Sequence, residues 1–557
     1  MSLRVLVVGG YGSFGGRLVE LLEGEAGLTL LVAGRSLASA EAFCRRRGTP
    51  SAELIPTRFN RDGDLDAEIA VLRPDILVDA SGPFQAYGED RYRVVEACLR
   101  GGVNYLDLAD GSDFVLGIGA FDAAARAAGT YVLSGVSTCP ALTAAVARRL
   151  SAGMARVDAI CGGIAPSPHA GIGRSVIRAI AGYAGQPVAM IRDGRPATGH
   201  PFTESRRFAI APPGHLPLGS RIFSLVDVPD LRALAQLWPE AKTIWFGAGP
   251  APAILHRVLI AMARLVRAGW IRTLSPLAPL MHRAMARLAW GEHRGGMFVE
   301  VEGADASGEP VRRSWHLVAE GDDGPFIPAM PAAALVRRVL TGCPPPLGAR
   351  AALREVELED YERFFTNRRI LAGCRDGAPS PLYPGALGSA WARLPAELRA
   401  MHEIRGRAVA EGRATVEGGS GLVARLMAAV IGFPRAAADT PVQVTFEVAD
   451  GQENWTRRFG GESFSSCQFA GSDGLICEGF GPLVFGMAAI VEGVRLRLVL
   501  RRWSAFGIPL PLWACPRMEA HETVEEGRFR FHVELSHPIA GLIVRYRGWL
   551  IPSHFLT

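Results

Sequence analysis

A chain of 557 residues, 49% hydrophobic and 21% charged, has ample material for more than one core, and its length suggests two to four domains. Its formal net charge of +5 is small for that size and does not argue for nucleic acid. Lys242 is the single lysine. That excludes a Schiff-base lysine elsewhere, a phosphate loop ending in Gly-Lys-Ser/Thr, and the Tyr-x-x-x-Lys pair of short-chain dehydrogenases.

The chain opens on an apolar run, Val5 to Val8, that ends in Gly10-x-Gly12-x-x-Gly15. Helical spacing follows at once in Leu18, Leu21 and Leu22. A tight turn needs the first glycine, a diphosphate approaches bare backbone at the second, and the third lets helix and strand pack closely. The helix start adds unpaired N–H groups and the positive end of its dipole. Strand, glycine triplet and helix in that order predict a dinucleotide site.

A second apolar run, Leu28 to Ala33, predicts the next parallel strand, and it ends in Gly34-Arg35-Ser36. An NAD site usually holds a carboxylate here for the ribose 2′-hydroxyl. Arg35 with Ser36 suits a 2′-phosphate instead, so NADP is expected; otherwise Arg35 is an ordinary surface arginine. Strands at 76–80, 103–108 and 130–134 alternate with helices at 92–99 and 121–128, which predicts a parallel sheet covered on both faces. Ligands sit beyond the carboxyl ends of such strands. There Asp79-Ala-Ser-Gly82-Pro83-Phe84 can run backbone past the cofactor, with Phe84 against a flat ring, or form a plain turn. Tyr105 and Asp107, two residues apart, fall on one strand face at the same rim. They are the candidate acid–base pair, with Asp107 alternatively capping the next turn.

These residues together resemble the saccharopine dehydrogenase-like reductases. The resemblance rests on Gly9-Gly10-Tyr11-Gly12-Ser13-Phe14-Gly15, Ala33-Gly34-Arg35-Ser36, Ser81-Gly82-Pro83-Phe84, and Ala97-Cys98 through Gly102, Tyr105 and Asp107. Ser134 to Pro140 looks like the family's exit from the nucleotide domain. The resemblance covers about the first 150 residues. It implies an NADP-binding oxidoreductase, with cofactor contacts on Gly10, Gly12, Ser13, Phe14, Gly15, Arg35, Ser36, Gly82 and Pro83. The family spans amino-acid, polyamine-precursor and lipid-like substrates. Its saccharopine-handling members employ a catalytic lysine for which the nucleotide half here has no counterpart, so saccharopine is not the expected substrate.

From about 151 to 375 the pattern becomes irregular helices and a few strands, with a hairpin at 297–302 and 311–319. The resemblance makes this the substrate and dimerisation half. Between Glu240 and Glu292 no acidic residue occurs, while Arg257, Arg264, Arg267, Arg272, Arg283 and Arg287 recur among apolar residues. Such a basic helical pair, 251–290, reads either as an internal hairpin or dimer face, or as a peripheral membrane contact.

A Pro/Gly-rich stretch, Asp376 to Gly388, predicts a linker. Beyond it, strict alternation at 494–498 and 528–533, with further strands at 442–448, 455–459, 467–470 and 543–547 between Gly-rich turns, predicts short antiparallel strands in a curved sheet or partly closed barrel. This third resembles an uncharacterised bacterial domain appended to reductases of the same family. No catalytic set is visible in it; Glu462 with its nearby serines lacks a base, and Pro509 to Trp513 reads as a packed loop. Its apolar face forms either a core or a ligand cavity.

The expected architecture is therefore an α/β Rossmann-type domain (1–135), an α+β second domain (136–375), and a β-rich antiparallel accessory domain (385–557). The expected activity is NADP-dependent oxidoreduction of a small molecule, with a lipid-like substrate as one open alternative, and without nucleic acid. The competing expectation is a non-catalytic NADP(H)-binding protein with a lipid- or partner-binding module. A homodimer and a peripheral membrane contact are the expected associations. Nine scattered cysteines without a Cys-x-x-Cys pair predict reduced thiols and, with no targeting segment in view, a cytoplasmic setting. Twelve histidines, His532 and His537 among them, show no metal-ligand spacing, and none is expected to bind metal.

Overall fold

The structure is a computed structural model describing residues 2–171, 173–377, 381–449 and 451–556. The chain divides into two compact units. The first holds residues 1–207, 221–312 and 319–370, and the second holds 208–220, 313–318 and 371–557.

The first unit starts with alternating elements. These are β1 (Leu3–Val8), α1 (Gly15–Leu22), β2 (Leu28–Gly34), α2 (Leu37–Arg46), β3 (Glu53–Arg58), α3 (Leu65–Leu72), β4 (Ile76–Asp79), α4 (Arg93–Gly101), β5 (Asn104–Asp107), α5 (Ser112–Gly117), α6 (Asp122–Ala127) and β6 (Tyr131–Ser134). The strands form one parallel sheet in the order β6-β5-β4-β1-β2-β3, extended beyond β6 by the strand Gly348–Ala351. Order reverses between β1 and β4, which opens the crevice where such sheets bind ligands. The inner strands are apolar on both faces: β2 is buried at every position and β4 likewise. Helices on both sides explain that continuous burial, and with it the absence of alternation in the sequence. Helix α7 (Thr143–Ser151) then leads to β7 (Arg156–Ala165), which runs parallel to Thr243–Ala248 and antiparallel to Arg294–Ala304 in a second, mixed sheet. The hairpin expected at 297–302 and 311–319 is longer, Arg294–Ala304 and Pro310–Glu320.

The second unit is built on a closed barrel. Ten strands, from Arg407–Gly418 to Gly541–Leu556, pair antiparallel with their neighbours, and the last pairs back onto the first. Closure, rather than a partly open sheet, leaves no unpaired ladder around the ring. Two readings change. Residues 376–388, where the sequence predicts a linker, contain instead a helix, Leu382–Leu387, whose Tyr383 is fully buried, while residues 378–380 lie outside the described residues. Leu382, Tyr383 and Leu387 are the apolar anchors that a turn-based reading passed over. The loop at Pro509 to Trp513 is not packed: Leu512 and Trp513 are exposed.

Candidate NADP site and its rim

Backbone geometry makes the glycine loop a cradle. A Cβ on Gly10 would lie 2.8 Å from the Val7 carbonyl oxygen, and one on Gly15 would lie 2.2 Å from that of Gly9. Neither position admits a side chain, so loop, β1 and α1 meet at bare backbone. Gly12 and Ser13 face solvent, and Phe14 precedes α1 without any side-chain cap. The Gly16 amide donates to the Gly12 carbonyl at 2.9 Å, which leaves the Gly15 amide at the start of α1 to an anion. Arg17 donates to the Ser13 carbonyl and braces the loop from within α1.

At the end of β2, Arg35 is exposed and makes no hydrogen bond or ion pair among the described residues. Ser36 has a structural duty: its Oγ accepts from the Ser39 amide at 3.3 Å and caps α2. Tyr11 is a contact the sequence did not single out. Its hydroxyl accepts from the Ser36 amide at 3.1 Å, and its ring covers Gly34 so closely that a Cβ there would collide. It fixes the path of the chain on which Arg35 is mounted. A free guanidinium held at this strand end suits a 2′-phosphate.

Beyond β4, Asp79 is buried and accepts from the Ser81 amide at 2.9 Å and from its hydroxyl at 2.5 Å. Gly82 and Pro83 follow, each half-buried. Phe84 is not a free ring for the cofactor. It is enclosed, 5.0 Å from both Tyr87 and Phe114 by ring centroids.

The strand β5 gives a different rim from the one its sequence suggests. Tyr105 is wholly buried in the core among Leu77, Val94, Cys98 and Val132, so its phenol has no access to a substrate. A four-residue strand covered on both faces puts apolar and polar residues alike inside. Asp107 is equally enclosed; its Oδ1 accepts from the Ala109 amide at 2.9 Å and the Gly135 amide at 2.8 Å. It holds the strand end together, as the capping alternative expects. The structure brings other groups to this rim. Gln85 donates to Asp110 at 3.0 Å, and Ser112 donates to Asp227 at 2.5 Å. Burial raises the Asp227 carboxyl above its usual range, opposed by the Ser112 bond. The protein around Asp110 does the same, although Asp110 keeps an exposed edge. Tyr183 lies near both, and burial and their charges raise its phenol. Sequence reasoning missed this set because Ser112 and Asp227 stand 115 residues apart.

Asp107 yields a testable pH effect. Burial lifts its carboxyl to about 7 from a model-compound value of 3.8. The folded state thus holds this proton more tightly than the unfolded chain, and the stability it contributes falls as pH rises between those values. Thermal melts from about pH 5 to about pH 8 should fall for the natural protein and fall less for Asp107→Asn, whose amide oxygen still accepts both backbone bonds. Identical slopes would place the titration elsewhere; Asp230, raised to about 6 by burial, is the next group to replace.

Residues 5–133 match the family described as the saccharopine dehydrogenase NADP binding domain. The first 130 or so residues are such a domain. Residues 394–550 match a domain of unknown function. No curated protein matches the chain. Among solved structures, saccharopine dehydrogenase (L-Glu forming) from Saccharomyces cerevisiae is similar at 14% identity and a TM-score of 0.48, over 68% of this chain and 100% of that one. The WlbA dehydrogenase from Thermus thermophilus, solved with NAD and UDP-GlcNAcA, is similar at 15% identity and a TM-score of 0.28, over 61% and 89%. Biliverdin reductase from Synechocystis is similar at 12% identity and a TM-score of 0.29, over 61% and 92%. The matched domain takes NADP as its cofactor, and it supports an NAD(P)-dependent oxidoreductase. No described helix is long and apolar enough to cross a membrane.

In the second unit, the barrel encloses a further candidate site. A cavity of about 100 Å³ is lined by aromatic and aliphatic side chains and by His402, Glu522, Arg457, Glu478 and Gln468. His402 is fully buried, stacked on Tyr383 at 3.8 Å between ring centroids, and its Nε2 lies 2.5 Å from Glu522. Its Nδ1 has no hydrogen-bond partner among the described residues. Arg457 pairs with Glu478 at 3.0 Å and donates to Ser466 at 2.8 Å, while Ser466 donates to Glu478 at 2.6 Å. Polar groups of this kind inside a barrel are costly unless paired, and this cluster is almost fully paired.

Proposed function

We propose that the protein transfers hydride between NADP(H) and a lipophilic small molecule at the carboxyl ends of β4 and β5, with Asp110 and Asp227 managing the proton. The carrying observation is the carboxylate pair itself. Both carboxyls sit beyond strand ends, both are raised by the protein around them although Asp110 is itself exposed, and both have polar partners that fix them. NADPH, when bound, supplies the hydride; the glycine loop and Arg35 hold it. Lys242 does not take part. It is an exposed partner of Asp158 at 2.9 Å, which supports a substrate other than saccharopine. The lipophilic class is supported by the aromatic-lined barrel cavity in the same chain.

The test is NADPH consumption by the full-length protein with an organic-solvent lipid extract of its own cells, set against the aqueous extract. Turnover with the lipid extract is expected. Asp110→Asn and Asp227→Asn should each lower turnover by roughly 10²-fold or more while NADPH affinity stays unchanged. Turnover with aqueous extract alone would overturn the substrate class, and unchanged rates in both variants would overturn the proton assignment. The second reading, a non-catalytic NADP(H)-binding protein, draws on the enclosure of Tyr105 and Asp107. Tight NADPH binding with no consumption in either extract would establish it.

A further inference from the structure

The arginine-rich hairpin forms two helices, Ala253–Arg267 and Ala278–Arg287. The first seats one face inward: His256, Ile260, Ala263 and Val266 are buried. His256 is bonded to Ser224 at 2.9 Å, and the linking turn is held by Gln186 donating to the Arg272 carbonyl at 2.7 Å. The helix therefore already has its core contact. Its opposite face is nonetheless apolar. Ile254, Val258 and Leu265, four and seven residues apart, fall on one stripe, and all three are exposed. Arg257 and Arg264 stand along that stripe in solvent. The second helix exposes Leu280 with Arg283 and Arg287, at helical spacing. Each helix is followed by an exposed tryptophan, Trp270 at 81% and Trp290 at 58%.

Charge decides what such a surface can meet. None of Arg257, Arg264, Arg272, Arg283 or Arg287 has an ion pair or side-chain hydrogen-bond partner among the described residues, and Arg267 bonds only the Thr203 hydroxyl. No carboxylate occurs in the sequence from 241 to 291. A two-fold self-contact would lay this patch against its own copy, arginine against arginine, with no acid to separate them. A nucleic acid would neutralise the arginines and leave Ile254, Val258, Leu265 and Leu280 facing water or phosphate. A bilayer with anionic headgroups satisfies both parts. Aliphatic side chains enter the acyl boundary, tryptophans lie at headgroup level, and guanidiniums pair with phosphates.

We infer that residues 253–290 are a peripheral docking surface for anionic phospholipid, in which the apolar stripe inserts and the unpaired arginines select the charge. The inference does not depend on the reaction proposed above, and it fails or stands without any turnover being measured.

The test is co-sedimentation of the full-length protein with vesicles of phosphatidylcholine alone and of phosphatidylcholine with about one third phosphatidylglycerol. Binding to the mixed vesicles is expected to exceed binding to the neutral ones by at least about tenfold, and to fall as salt is raised. Arg257→Gln/Arg264→Gln/Arg283→Gln should abolish the difference. Trp270→Ala/Trp290→Ala should weaken binding to both and remove a blue shift of tryptophan emission. All five side chains are exposed, so circular dichroism and melting temperature should match the natural protein and separate lost docking from lost folding. Equal sedimentation with both vesicles, or binding that neither variant alters, would overturn the inference. A dimer in sedimentation velocity that the tryptophan variant dissolves would assign the face to self-association instead, and retention by single-stranded DNA at the same salt would assign it to nucleic acid.

Discussion

Arg35→Asp is expected to weaken NADPH binding by about tenfold to a hundredfold and to bring NADH to equal or better affinity. Hydrogen bonds to a charged partner are worth roughly 1.5–3 kcal/mol, which is that range in a dissociation constant. The new carboxylate repels a 2′-phosphate and can accept from a 2′-hydroxyl instead. The chain around position 35 should not move. Tyr11 holds the Ser36 amide and covers Gly34, Ser36 caps α2 through Ser39, and none of these contacts involves the Arg35 side chain. Cofactor fluorescence titrations on the natural protein and the variant read the preference directly, with a melting curve to show that the fold is intact. Equal NADPH affinity in both proteins would remove Arg35 from the phosphate site and leave it a surface arginine.

The same region shows what the sequence could disclose. A glycine at 10, 12 and 15 between an apolar run and a helical repeat is a backbone requirement written in residue types, so the loop was legible without coordinates. The arginine-rich pair of helices was legible too, because an absence of acids over some fifty residues and a helical repeat are both local facts. Tyr105 was not. Period-two reasoning places alternate residues on opposite faces, but β5 is covered on both faces, and facing a given side says nothing about reaching solvent. Asp227 was hidden for another reason: it meets Ser112 only through the fold, and no local spacing joins them. The helix Leu382–Leu387 was lost beneath the prolines and glycines around it, although Tyr383 turns out to be one of the largest fully buried side chains.

The barrel interior carries the other large effect. On the strand Gln452–Phe459 the inward positions are Glu453, Trp455, Arg457 and Phe459, so an alternation that would ordinarily be apolar delivers two charges to the inside. Arg457 and Glu478 are nearly enclosed, with side chains 12% and 13% exposed. Arg457→Met should therefore destabilise the barrel by about 3–5 kcal/mol, because it leaves the Glu478 carboxylate buried with Ser466 as its remaining donor. Methionine keeps an unbranched stem of similar reach but gives up the guanidinium's place over the Trp455 ring, 5.0 Å away, and that loss adds to the destabilisation. Arg457→Met/Glu478→Met should recover most of the loss, since removing both charges also removes their desolvation cost. Hydrogen exchange of peptides spanning 452–480 is the suitable measure, for the two units need not unfold together and a single melting temperature would average them. A loss below about 1 kcal/mol in the single variant would mean that water in the cavity already screens the pair. A double variant as stable as the natural protein would show that the fold does not require these charges. The polar groups around the cavity would then have to be explained by what the cavity holds, and His402, whose Nδ1 has no hydrogen-bond partner among the described residues, is the first of them to replace.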